Sequence, residues 1–155
     1  NSHFNEELYS LYENVYEKSQ YKLEKLTINF FRNIPSDIYV FYVKGTPAAF
    51  VQLGAMNNEL NFIFGGLDYS LNHTYDLYMN MLVFILRYGI ENKYSAIDFG
   101  QTAEDTKMKL GAIPQRKFMH IYHPSSMVRY LIGLFERYLS YKPLQTKFQV
   151  FKGEE

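Results

Sequence analysis

Leu8, Leu11, Tyr12, Val15 and Tyr16 recur at the three- and four-residue spacing of one helical face. Asn5 ahead of Glu6 and Glu7 supplies a cap and an acidic first turn, so the pattern predicts a helix over 5–18. Leu23, Leu26, Thr27, Phe30, Phe31 and Ile34 trace a second helical stripe, which Pro35-Ser36-Asp37 ends. The run at 38–43 is β-branched and aromatic on both faces, and Lys44-Gly45-Thr46-Pro47 turns it into a second apolar run over 48–56. Gly54 inside that run marks a bulge or a close backbone approach. Asn57-Asn58 turns the chain again into 59–66, where alternation places Leu60, Phe62 and Phe64 on one face. Three antiparallel strands are expected to follow two helices.

After a loop at 67–73, a long helix is expected over 74–92, with Asp76, Asn80, Arg87 and Glu91 as its narrow polar stripe. Residues 95–100 read as an interior strand. Thr102 then caps a brief helix that Gly111 closes. A strand over 115–123 comes next, then a helix capped by Ser125 or Ser126 with Met127, Val128, Leu131, Leu134, Phe135 and Tyr138 along one side. A last strand is expected at 148–151. The β–α–β crossover between 59 and 100 makes its strand pair parallel and right-handed inside an otherwise antiparallel sheet with helices on its faces. The fold class is therefore α/β in the mixed, α+β sense. No repeat, low-complexity run or linker divides residues 1–155, which read as a single domain.

Composition narrows the functional classes. Of 155 residues, 47% are hydrophobic and 21% charged, and sixteen basic residues balance sixteen acidic ones. No overall field draws this chain to DNA or to an acidic membrane surface. Cysteine is absent, which removes disulfides, thiolate metal sites and a cysteine nucleophile, and fits a bacterial cytoplasmic protein. The longest apolar stretch, 77–90, is too short for a bilayer and carries Asn80 and Arg87, so no membrane span is expected and the protein reads as soluble. The signatures of serine hydrolases, P-loop NTPases, zinc proteases and dinucleotide-binding folds are missing. His120 and His123, three apart on an expected strand, point to opposite faces, so no metal site is expected there.

The order of elements resembles the GNAT acyltransferase fold. Within 94–112, and in the helix that precedes it through 87–93, the chain resembles the FemAB-like branch of that superfamily, the peptidoglycan-type N-acyltransferases. Asp98, Phe99, Gly100, Thr102, Lys107, Gly111 and Ala112 follow the branch's pattern, while Thr106 stands where an aromatic residue is usual. The resemblance implies a GNAT sheet whose central parallel strand pair splays apart, and an N-acyltransferase that moves an acyl or aminoacyl group onto an amine. It implies no tightly bound cofactor, with acyl-CoA or aminoacyl-tRNA as co-substrate. The absence of glycine from 67–73, where a pyrophosphate loop would lie, agrees with the tRNA-dependent members and equally with a domain that has lost catalysis. The acceptor would be an amine-bearing small molecule, peptide or cell-wall precursor. Since the first strand of a full unit would fall before Asn1, the resemblance also implies the C-terminal half of a longer chain, partnered by a second GNAT-like half or a second copy.

Residue by residue, Asn61, Ile63, Gly65 and Gly66 would line the donor tunnel, with the glycines permitting close approach; the plain alternative is a strand ended by a Gly-Gly turn. Lys107 would hold the donor or the developing oxyanion, and otherwise reads as a solvated lysine paired with Glu104. Asp98, at the C-terminal end of its strand, would take the amine proton through water, or else cap the following turn. Thr102 belongs to the same motif, and His73, ahead of the long helix, would meet a donor phosphate or simply face solvent. The competing functional class is a non-catalytic GNAT-like module that binds a peptide, glycan or subunit.

Overall fold

The computed structural model describes residues 3–20, 22, 24–101, 104–115, 120–139, 148 and 150. Its first helix, α1 (Glu6–Lys18), starts where the sequence signals it: the Asn5 side chain accepts the Leu8 amide at 3.0 Å. The second helix is shorter than its stripe. α2 spans Ile28–Asn33 only. The reason lies in α1, whose tyrosines take both backbone groups of Leu26: Tyr9 donates to its carbonyl at 2.9 Å and its amide donates to the Tyr12 hydroxyl at 3.0 Å. A Leu26 amide held in this way is not available to an i→i−4 ladder, so the chain stays extended through Thr27.

Strands β1 (Asp37–Val43), β2 (Thr46–Met56) and β3 (Glu59–Leu67) form the expected antiparallel meander. Lys44-Gly45 and Asn57-Asn58 make the two-residue turns, all four residues having positive φ, as the right-handed twist of a hairpin favours. The irregularity signalled by Gly54 lies on the facing strand. Gln52 pairs with Phe64 and Leu53 with Phe62, leaving Ile63 as the extra residue. A Cβ at Gly54 would lie 2.7 Å from Ile63 Cδ1, so the glycine makes room for the bulged side chain. The bulge also overturns the expected shared face. Phe62 lies with Met81 beside Gly65, whereas Phe64 packs edge-on against Phe31 and Phe30 of α2.

The expected loop at 67–73 is instead mostly helix. Asp68 accepts the Ser70 amide at 2.8 Å and opens α3 (Tyr69–Tyr75). Asp76 then adopts a left-handed conformation, φ 46°, which separates α3 from α4 (Leu77–Glu91). The expected polar stripe of α4 is exposed as the pattern requires. β4 (Ala96–Asp98) is short and pairs parallel to β3, giving a four-stranded mixed sheet in the order β1-β2-β3-β4. Among the described residues β4 is the outer strand, not an interior one, and the parallel pair lies at the sheet margin rather than its centre.

Helices cover both faces of this sheet. On one, Phe4, Leu8, Leu11, Tyr12, Phe31 and Phe50 form a buried cluster, with Phe4 stacked on Phe31 at 4.8 Å. Gln52, fully buried in β2, donates to the Phe31 carbonyl at 3.2 Å and to Ser36 Oγ at 2.7 Å, satisfying a carbonyl that the end of α2 leaves open. On the other face, Tyr39 and Phe41 of β1 meet Phe84 of α4 at 5.0 and 5.4 Å. Gly89 lets α4 settle onto Ile97 and Leu60.

The chain divides into two compact units, residues 1–102 and 103–155. In the second, α5 (Glu104–Met108) ends at Gly111, φ 87°, whose amide and that of Ala112 return to the carbonyls of Met108 and Lys107. Residues 120–123 are not strand, against expectation, and 116–119 lie outside the described residues, as does most of the strand expected at 148–151. α6 spans Ser126–Leu139; Met127, Leu131, Leu134, Phe135 and Tyr138 on its apolar side are exposed and Val128 is half-buried.

Two glycine-to-alanine exchanges test this packing by opposite signs. A Cβ at Gly66 would lie 2.6 Å from backbone atoms of Leu11 and Tyr12, which have no free end to swing aside. Gly66→Ala is expected to destabilise by about 3 kcal/mol in urea unfolding. Gly133→Ala, in α6 with nothing within 4 Å, should stabilise by about 1 kcal/mol. A neutral Gly66→Ala would contradict the close approach of α1.

Candidate functional site

The parallel pair defines the site. β3 and β4 are joined only at Glu59–Ala96, Leu60–Ile97 and Asn61–Asp98. β3 then runs on from Phe62 to Leu67, while β4 ends at Asp98 and the chain turns at Gly100, where a Cβ would lie 3.3 Å from the Phe62 carbonyl oxygen. The turn is built by Asp98 itself, whose carboxylate accepts the Gly100 amide at 2.7 Å; Gly100 has φ 71°, a conformation suited to glycine. Asp98 is exposed at the mouth of the opening and caps its own turn.

Of the tunnel residues expected from the sequence, Asn61 is the register partner of Asp98 and marks the last joined position. Ile63 is the bulged residue, filling the space beside Gly54 rather than an opening. Gly65 and Gly66 do permit close approach, but of the protein to itself. A Cβ on Gly65 would meet Met81 Cε at 2.8 Å and Phe62 Cζ at 2.9 Å, and one on Gly66 would meet Phe50 Cε1 at 2.4 Å besides the α1 backbone. Their contribution to a ligand groove is therefore limited to backbone groups along the strand edge.

His73 lies in the last turn of α3, exposed, and not in a loop. One amide at the start of α4 is already taken from within. Asn72 Oδ1 accepts the Tyr78 amide at 2.9 Å, and Asn80 Nδ2 donates to the Tyr75 carbonyl at 2.8 Å. With the Asp76 carboxylate at the same place, this helix start is a poor seat for a phosphate. Asn72 was not singled out in the sequence, and Asp76 was read only as part of the polar stripe of the long helix; the available signal was an Asn four residues ahead of an Asp at a helix boundary.

Lys107 lies in the second unit and is buried, 6% exposed, rather than solvated. A surface pair lies beside it, Lys109 Nζ to Asp105 Oδ2 at 2.5 Å. Thr102 lies outside the described residues. His120 is exposed, and His123 Nδ1 accepts the Ser125 amide at 3.1 Å, a capping contact ahead of α6. Among the described residues no three His, Asp or Glu side chains cluster as metal ligands, and no helix is long and apolar enough to cross a membrane.

Tyr69 opens α3 and Tyr78 lies in the first turn of α4, and burial raises the pKa of both above the ordinary value of 10.0. Lys18 Nζ rests 3.8 Å over the Tyr69 ring. Comparison with protein-family models, with curated proteins and with solved structures finds no match, so the chain inherits neither family nor activity from a relative.

The raised tyrosines carry a pH signature. In Tyr12, Tyr39, Tyr69 and Tyr78 burial pushes the phenol up, and Tyr39 gains further from its hydrogen bond with Tyr88. The folded state then holds these protons more tightly than the unfolded chain, so their stabilisation is complete below pH about 10 and lost as pH climbs through the folded values. The melting temperature should fall steeply above pH about 10, and Tyr39→Phe should lessen the slope. A melting temperature constant up to pH about 11.5 would contradict this assignment.

Proposed function

We propose that this chain carries the donor-side machinery of an N-acyltransferase of the GNAT superfamily, FemAB-like branch, acting in the cytoplasm. The observation that supports the reading is the parallel ladder that ends at Asn61 and Asp98, which leaves β3 beyond that point with no strand on that edge among the described residues. Backbone N–H and C=O groups on such an edge suit an acyl donor's amide or ester groups and a developing oxyanion. The start of α4, with one amide taken from within, speaks against a pyrophosphate there, and so favours an aminoacyl-tRNA donor over acyl-CoA.

The chemistry is direct. The acceptor amine attacks the donor carbonyl, a C–N bond forms, and the tetrahedral intermediate collapses with release of the ribose hydroxyl, or of the CoA thiol. The proton lost by nitrogen passes through water, with Asp98 as its nearby carboxylate, and the leaving oxygen or sulfur regains one. It is the FemAB-like resemblance that assigns Lys107, a buried lysine of the second unit, to the oxyanion or to the donor's phosphate.

A non-catalytic binding module is the second reading. It is favoured by the side-chain contacts that fill the space over Gly65 and Gly66.

Transfer of labelled amino acid from a charged tRNA pool, or of labelled acetyl from acetyl-CoA, onto a panel of amines separates the readings. The first predicts label transfer that Lys107→Ala lowers by about 100-fold or more at unchanged circular dichroism. Activity undiminished in Lys107→Ala would remove that lysine from the mechanism, and no transfer from either donor would favour the binding module.

A further inference from the structure

We draw no further inference here: the strongest candidate, the exposed apolar side of α6 formed by Met127, Leu131, Leu134, Phe135 and Tyr138, carries none, because nothing among the described residues shows what covers it.

Discussion

Two adjacent glycines in the middle strand system set the geometry on which the rest depends. Gly65 and Gly66 face opposite sides of β3, and the missing side chains let Met81 of α4 approach from one side and the α1 backbone from the other. With α1 seated, its tyrosines seize Leu26 and bring α2 over Phe64, and the Phe4–Phe31–Phe50 cluster closes beneath. With α4 seated, Gly89 brings it down on Ile97, which holds β4 beside the first three residues of β3. One strand is thus gripped from both faces while its edge past Asn61 has no strand beside it among the described residues.

That arrangement separates holding from function. Contacts across the sheet faces supply the burial, roughly 1.5–3 kcal/mol for each fully buried large side chain. Edge groups contribute little to stability.

Much of this was legible in the chain. Asn5, the Lys44-Gly45 and Asn57-Asn58 turns, Gly111 and the apolar stripe of α1 each act locally, and local signals survive folding. What failed had a tertiary cause. The stripe beginning at Leu23 has helical spacing, yet Leu26 is claimed by phenols fourteen and seventeen residues away, which no window of sequence reveals. Alternation put Phe64 with Leu60 and Phe62 because a bulge at Ile63 is invisible until its partner strand is in place. Phe4 was readable but unread: an aromatic residue just before a helix cap commonly turns back into the core. The site was less legible than the fold. Lys107 looks like one more surface lysine on a short polar helix, yet it is buried. The space over Gly65 and Gly66, expected to admit a ligand, is taken by protein.

Residue-resolved amide hydrogen exchange along β3 tests the central claim most directly. If the strand is gripped on its faces and open on its edge, the amides from Phe62 to Gly66 should fall into two alternating sets. Those bonded to β2 should exchange at the rate of global unfolding, and those on the opposite edge orders of magnitude faster. Uniform protection from Glu59 to Leu67 would mean that another strand closes the edge, and would contradict the account.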